Sequence, residues 1–284
     1  MNNTFMKLFD SMVETSKAQN GIDDGDYLDE DGLLMCGKCH TRKQIRISVL
    51  GVEKMPMVPC ECRKKEIEKE GLEENERNKS YKISQMKQAG FPDKEMASWT
   101  FENDDGKNKK IMDIAKRYVD NFNEMKADHK GLLLFGGVGV GKTYASACIA
   151  NALIEKGHPC LVTNFARLIN TLQSLQEGKQ EFLDELNEYD LLVIDDLASE
   201  RNTEYMQEFV MQIIDARNRS GLPIIVTTNL TAQELKNPAD MQKQRIYSRL
   251  LGMCVPIEVK GADRRKVSLI NDFDKYKDIL GLEG

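Results

Sequence analysis

The chain has 284 residues, and 40% of them are hydrophobic and 30% charged, as in ordinary water-soluble proteins; that length corresponds to about two domains. No run approaches the roughly 18 consecutive apolar residues of a membrane span, so no transmembrane helix is expected. The formal net charge of −6 excludes a uniformly basic surface for nucleic acid but leaves a local basic groove open.

Residues 1–30 combine an apolar repeat with an acidic run. The repeat has helical spacing, typical of a short helix that docks into a partner, and consists of Phe5, Leu8, Phe9 and Met12. The alternative is a frayed terminus followed by a solvated acidic linker, "GIDDGDYLDEDG". The segment lacks the features of a signal peptide. With seven cysteines, we therefore expect a cytoplasmic protein whose thiols hold metals or lie in cores.

Four cysteines in two close pairs fall within residues 31–65: Cys36, Cys39, Cys60 and Cys62. Between the pairs, "QIRISV" alternates apolar and polar residues like a strand. Four thiolates suit the tetrahedral shell of structural zinc, with bonds of about 2.3 Å. We predict a zinc-ribbon-like module with these four ligands. His40 is a weaker substitute ligand, and two unrelated pairs of buried thiols are the alternative.

Residues 66–100 carry many charges of both signs and few apolar residues, which predicts an exposed helical linker. Residues 101–284 then alternate helical and strand patterns. One helix face is predicted from apolar spacing at Ile111, Ala115, Tyr118, Phe122 and Met125. Strands are predicted at "LLLF", "CLVT", "LLVIDD", "PIIVTTN" and "CVPIEV". Apolar runs that alternate with helices predict an α/β fold with a parallel sheet between helices.

After the first of these strands, the chain matches the phosphate-binding pattern G-x4-G-K-[ST] in full. The match consists of Gly136, Gly137, Val138, Gly139, Val140, Gly141, Lys142 and Thr143, and Tyr144 follows it directly. The glycines allow backbone N–H groups to close around phosphate oxygens. Lys142 can reach the terminal phosphates, and the Thr143 hydroxyl can ligate Mg²⁺. The predicted helix after the loop turns its positive end towards the anion.

Polar residues end two further predicted strands, and we expect them beside the phosphate loop. Asp195 and Asp196 end "LLVIDD". Asp195 would hold Mg²⁺ through water, and Asp196 would orient or deprotonate the attacking water. Asn229 ends "PIIVTTN", where it either contacts that water or the terminal phosphate, or simply caps the strand.

With these elements in order, about residues 95–275 resemble the AAA+ ATPases of the DnaC/DnaI helicase-loader and IstB group. The landmarks are "TFEND", "GGVGVGKTY", "LLVIDDLASE", "IIDARN", "PIIVTTNL" and "QRIYSRL". The resemblance implies a P-loop ATPase of AAA+ fold that takes ATP and Mg²⁺. Asp196 stands where AAA+ proteins commonly have a glutamate, and the shorter carboxylate suggests slow hydrolysis.

The resemblance also implies roles for late polar residues. Asn229 corresponds to the sensor-1 residue. Arg249 corresponds to the arginine finger that reaches a neighbouring subunit's nucleotide, with Arg245 as the nearby alternative. Arg265 or Arg264, in "GADRRK", corresponds to the sensor-2 arginine.

The function implied by the resemblance is ATP-dependent loading of a hexameric replicative DNA helicase onto single-stranded DNA. The loader would act as an ATP switch and form a homo-oligomer on binding ATP. Its cysteine module, with Zn²⁺, favours it over an IstB-like helper of a transposase, which usually lacks such a module. A small-molecule kinase with the same loop is a third hypothesis. Candidate DNA contacts, each with a solvated surface charge as the alternative, are Lys107, Lys109, Lys110, Arg217 and Arg219.

Overall fold

A computed structural model of the protein describes residues 21–49, 51–91, 93–197, 204–264, 276–277 and 279–280. The predicted docking helix within residues 1–20 lies outside these ranges. The chain divides into two compact units, Met1–Tyr81 and Lys82–Gly284. The boundary between the units falls within a helix that spans Glu61–Gly90.

Two short hairpins precede this helix in the first unit. Strand β1 (Tyr27–Leu28) pairs antiparallel with β2 (Leu34–Met35), and β3 (Ile47–Val49) pairs with β4 (Val52–Lys54). Helix α1 (Glu61–Gly90) follows. The strand predicted in "QIRISV" is therefore confirmed over its last three residues.

The acidic run belongs to this unit, and most of its residues are exposed as a solvated segment requires, but the side chain of Asp26 is buried against Lys43. Lys43 is 3% exposed, and its Nζ lies 2.7 Å from Asp26 Oδ2 and 2.9 Å from Asp23 Oδ2. Asp26 Oδ1 also accepts from the Gly37 amide at 3.0 Å. A buried charge is costly unless it is paired and hydrogen-bonded, and these contacts meet that requirement.

Helix α1 confirms the predicted exposed helix over residues 66–90, whereas the rest of the predicted range, up to residue 100, lies beyond the end of the helix. Ion pairs one turn apart lie along its surface: Glu61–Lys64, Arg63–Glu66 and Lys69–Glu73. Exposed pairs of this kind stabilise a helix only weakly. The helix ends at Gly90, where a Cβ atom would lie 2.2 Å from the carbonyl oxygen of Cys160. This close backbone approach requires glycine.

A parallel sheet forms the centre of the second unit. Its strands are β5 (Gly131–Phe135), β6 (Cys160–Asn164), β7 (Leu191–Leu197), β8 (Ile224–Thr228) and β9 (Cys254–Glu258). They lie in the order β6-β7-β8-β5-β9, and every pairing is parallel. All five predicted strands are confirmed. Because β5 separates β8 from β9, ligands are expected outside its carboxyl end.

Helices cover both faces of the sheet. They are α2 (Lys109–Asp120), α3 (Phe122–Ala127), α4 (Lys142–Glu155), α5 (Phe165–Ser174), α6 (Lys179–Glu185), α7 (Glu204–Ser220), α8 (Ala232–Lys236) and α9 (Met241–Met253). One core cluster packs α2 and α4 against the sheet, and another packs α5, α7 and α9. The predicted helix face is buried from Ile111 to Phe122 and half-buried at Met125, but a break at Asn121 divides it between α2 and α3. Within the described ranges, no helix is long and apolar enough to cross a membrane.

Candidate nucleotide-binding site and cysteine cluster

The phosphate-binding pattern forms the loop between β5 and α4. Strand β5 is buried along its whole length, which fixes the start of the loop at the sheet's carboxyl edge. Gly136 has a φ of 137°, and a Cβ atom there would lie 2.4 Å from the carbonyl oxygen of Val259. Gly139 has a φ of 72°, and a Cβ atom there would lie 1.9 Å from Asp263 Oδ1. The loop conformation therefore requires glycine at both positions.

The Lys142 side chain folds back over this loop. Its Nζ donates to the carbonyl oxygens of Gly136 at 2.9 Å and Gly137 at 2.6 Å, and to Asn229 Oδ1 at 2.8 Å. The residue is only 6% exposed. A buried ammonium needs such acceptors, and phosphate oxygens are stronger ones because they are charged. The Lys142 ammonium therefore lies at the start of α4. Both its charge and the positive end of the helix dipole favour an anion there.

Asp195 and Asp196 lie beside the loop at the end of β7. Thr143 Oγ1 donates to Asp195 Oδ1 at 2.8 Å, so the two side chains predicted to bind Mg²⁺ are in direct contact. Asn229 Nδ2 donates to Asp196 Oδ1 at 3.1 Å. Asp196 has a φ of 62°, a region that aspartate and asparagine tolerate better than most side chains. This backbone gives a physical reason for aspartate at position 196.

These groups line a cavity of 330 Å³. Residues 138–144, Asp195, Asp196 and Asn229 all line it, so the structure brings the predicted nucleotide-binding and catalytic residues of three strands together. Two further lining residues, Trp99 and Thr227, were not predicted as site residues. Trp99 is the chain's single tryptophan and lies outside every recognised motif, whereas Thr227 stands two residues before Asn229 in "VTTN".

Trp99 is held at the cavity by the helix that follows the phosphate loop. Its ring centroid lies 5.5 Å from that of Tyr144. The Tyr144 hydroxyl donates to the carbonyl oxygen of Thr100 at 3.0 Å. Asn151 Nδ2 donates to the carbonyl oxygens of Met96 and Trp99 at 3.0 and 2.9 Å. Burial raises the pKa of Tyr144 to about 12, so its hydroxyl keeps its proton at neutral pH.

Of the late arginines, one lies at the cavity and two lie elsewhere. Arg264 lines the cavity, and its Nη2 lies 3.2 Å from Asp105 Oδ1. Arg265, the other sensor-2 candidate, lies outside the described residues. Arg249 and Arg245 line a separate groove between α7 and α9. Arg249 Nε lies 3.0 Å from Asp215 Oδ1, and its side chain is 42% exposed.

Arg217 was predicted as a candidate DNA contact or a solvated charge, and both interpretations are wrong. The residue is 1% exposed. Its guanidinium donates to four backbone carbonyl oxygens, those of Leu186, Tyr189, Asp190 and Pro223. Burial lowers its pKa to about 10, which leaves it charged at neutral pH. Arg217 therefore ties together the chain segments that enter β7 and β8.

The four predicted zinc ligands meet in the first unit. Their sulfur atoms all lie within 4.8 Å of one another. Cys36 Sγ and Cys60 Sγ lie 3.5 and 3.2 Å from Cys62 Sγ. Tetrahedral zinc with bonds of about 2.3 Å separates its sulfur ligands by about 3.8 Å, so the cluster has the size of a zinc site. Hydrogen bonding among the crowded thiols raises the pKa of Cys62 to about 12. His40 lies instead against Tyr27.

The sequence profile described as IstB-like ATP binding protein matches residues 64–269. This chain belongs to that family. The family's ATP binding agrees with the cavity, and the resemblance to the DnaC/DnaI and IstB group is confirmed.

Among curated proteins, the chain is similar to the replicative helicase loader DnaI of Bacillus subtilis, with 29% identity over 160 residues, 52% of this chain and 51% of DnaI. It is 28% identical to the replicative helicase loader DnaC of Escherichia coli over 125 residues, 43% of this chain and 50% of DnaC. The matches thus span about half the length of these relatives.

Solved structures show the same fold as the second unit. A crystal structure of DnaI is 28% identical with a TM-score of 0.50, and the match covers 60% of this chain and 96% of that one. A crystal structure of the DnaC helicase loader is 25% identical with a TM-score of 0.51, and the match covers 59% and 100%. The second unit therefore has an AAA+ fold with a P-loop, as predicted.

Proposed function

We propose that this protein binds ATP, hydrolyses it slowly, and uses the bound nucleotide as a switch to load a replicative DNA helicase onto single-stranded DNA. The observation that carries the proposal is the similarity of its ATP-binding unit to proteins named as replicative helicase loaders. The contacts in the cavity provide the chemistry that such a switch needs.

The phosphates of ATP would lie along the loop and the N-terminus of α4. Lys142 would exchange its carbonyl acceptors for the terminal phosphates, and Thr143 with Asp195 would hold Mg²⁺. The metal supplies charge stabilisation at the phosphates when bound. Asp196 would orient the attacking water. Asn229 would sense the terminal phosphate, and its contacts with both Lys142 and Asp196 support this role, because a change at Lys142 would alter the hydrogen bond to the carboxylate that orients water.

The base of ATP would lie towards Trp99. A nucleotide with its phosphates on the loop must place its aromatic base elsewhere in the cavity, and Trp99 and Tyr144 provide aromatic surface there. Stacking on an aromatic side chain is worth about 1–3 kcal/mol per base in nucleic-acid complexes. Arg264 would approach the phosphates as the sensor-2 residue, since it lines the same cavity.

Arg249 would complete the site of a neighbouring subunit. It lies in a groove apart from the cavity of its own chain, so a role in hydrolysis requires a second copy. The ion pair with Asp215 uses Nε, and arginine carries further donors on its two terminal nitrogens. We therefore propose that ATP binding drives homo-oligomer formation, with Arg249 as the finger.

The first unit would be the helicase-docking module. We propose zinc at the four clustered cysteines, because all four ligands come from the protein and the sulfur atoms already lie together. The proposed division is an N-terminal segment at 1–30, a cysteine module at 31–65 in which Lys43 pairs with Asp23 and Asp26 of that segment, a helical linker at 66–100 and the ATPase domain at 101–284.

A capture experiment tests this function. The immobilised protein is mixed with a replicative helicase and, separately, with a transposase, in ATP or ADP and with or without single-stranded DNA. We expect the wild type to retain helicase, Cys36→Ser to lose it while still binding ATP, and Lys142→Ala to lose its response to ATP. Capture of transposase alone would favour the IstB-like helper. Capture of neither protein in any nucleotide state would contradict both functions.

A further inference from the structure

The end of β7 contains a β-bulge opposite one residue of β8. The ladder is regular on either side of it, with the pairs Ile194–Val226 and Leu197–Thr228. Two residues of β7, Asp195 and Asp196, therefore lie opposite the single residue Thr227. A bulge re-aims side chains and leaves backbone groups of the longer strand outside the regular ladder.

The Thr227 hydroxyl contacts both aspartates. Its Oγ1 donates to Asp195 Oδ1 at 2.5 Å and accepts from the Asp196 amide at 2.9 Å. A hydroxyl can donate and accept at once, which is what these two contacts require. Thr227 is 2% exposed, so bulk water cannot take over either contact.

Each contact has a consequence for the nucleotide site. Asp195 Oδ1 accepts from both Thr143 and Thr227, which fixes the carboxylate that would hold Mg²⁺. The contact to the Asp196 amide stabilises a backbone conformation, with a φ of 62°, that is unfavourable for residues other than glycine. One buried hydroxyl thus fixes the position of the Asp195 carboxylate, which would bind the metal, and the backbone of Asp196, which would orient the water.

We infer that Thr227 is a positioning residue for ATP hydrolysis, which acts through its hydrogen bonds to Asp195 and Asp196. The inference rests on the proposed ATPase function and assigns a role that the P-loop and the aspartates alone do not provide. Partners that orient metal ligands typically change metal affinity or activity by about 10–100-fold when they are lost. Thr227 should affect the Mg²⁺ dependence of hydrolysis more than the affinity for ATP.

Thr227→Val tests this, because it replaces the hydroxyl with a methyl group of similar size. Thr227→Ser restores the hydroxyl. The matched control is Thr228→Val, since Thr228 is also buried and its hydroxyl donates to the Leu197 carbonyl at 2.8 Å, away from both aspartates. For each variant, steady-state hydrolysis is measured against Mg²⁺ and ATP concentration, ATP binding is measured in EDTA, and the melting temperature is recorded.

We expect Thr227→Val to need at least about tenfold more Mg²⁺ and to lose about tenfold or more in kcat. Its Mg²⁺-free ATP affinity should stay within about twofold of the wild type. Thr227→Ser should recover most of the loss, and Thr228→Val should keep the wild-type Mg²⁺ dependence. If Thr227→Val does not fold, Thr227→Ala against Thr227→Ser makes the same comparison.

Equal Mg²⁺ dependence and kcat for the Thr227→Val and Thr228→Val proteins would overturn the inference, as would failure of Thr227→Ser to recover. A wild type that binds ATP but does not hydrolyse it would contradict the proposed ATPase function instead. In that case the positioning role is tested by measuring ATP affinity with and without Mg²⁺. Thr227→Val should reduce the gain in affinity that Mg²⁺ provides, and Thr228→Val should not.

Discussion

The buried pair of Lys43 and Asp26 gives a sharp prediction about the cysteine module. Both Asp26 and Asp23 contact the Lys43 ammonium, at 2.7 and 2.9 Å, but their side chains are 1% and 73% exposed. Asp26→Asn leaves a buried cation with a neutral partner, whereas Asp23→Asn removes a charge that water already screens. Both substitutions replace a carboxylate that contacts Lys43 with an amide, but only the Asp26 side chain is buried.

The magnitudes follow from that difference. Removing one partner of a buried pair costs about 3–5 kcal/mol, and we expect about 3 kcal/mol for Asp26→Asn because Asp23 and the Gly21 carbonyl still contact Lys43. Removing an exposed partner costs less than about 1 kcal/mol. For a domain of this size, 1 kcal/mol shifts the melting temperature by about 4–8 °C. Asp26→Asn should therefore lower it by about 12–24 °C.

The assay is thermal release of zinc into a colorimetric chelator, which reports on the first unit alone. Burial by itself raises the pKa of Asp26, but hydrogen bonds from Lys43 and from the amides of Asp23 and Gly37 lower it to about 2. The carboxylate's contribution is thus complete above its ordinary pKa and is lost only as the pH falls through about 2. The difference between the variants should therefore be constant from pH 6 to 8. Equal melting shifts for the two variants would refute this reasoning.

Three further predictions concern the nucleotide site. Lys142→Ala should lose ATP affinity, while Asp195→Ala should bind ATP in EDTA and fail to hydrolyse it with Mg²⁺; unchanged affinity in Lys142→Ala would contradict the assignment. Arg249→Ala should bind ATP and lose about 10³-fold or more in hydrolysis, and mixing it with Lys142→Ala should restore partial activity; mixed oligomers that stay inactive would exclude the role in trans. ATP should change the fluorescence of the single tryptophan, Trp99, more than inorganic tripolyphosphate does, and equal responses would place the base elsewhere.

The sequence predicted those features that depend on local pattern. The five strands are buried apolar runs, and the phosphate loop is a contiguous motif between a strand and a helix, so both could be read without tertiary information. The juxtaposition of Asp195 with Thr143 followed from the topology of parallel strands that end at one edge.

Features that depend on tertiary burial could not be read in the same way. Arg217 and Asp26 are charged residues of a kind usually found at the surface, and only the packing around them shows that their side chains are buried. The role of Thr227 depends on a register shift between two strands, which no periodicity reveals. Trp99 lies about forty residues before Gly139 in the sequence, but in the structure it lines the same cavity and its ring lies beside that of Tyr144.

The central proposal, an ATP switch that loads a helicase, is tested most directly by loading itself. A replicative helicase is incubated with circular single-stranded DNA and this protein, and DNA-bound helicase is counted after gel filtration. We predict that the wild type with ATP increases bound helicase severalfold over helicase alone, that Lys142→Ala does not, and that Cys36→Ser does not despite normal ATP binding. Equal loading by the wild type, by Lys142→Ala and by helicase alone would contradict the switch.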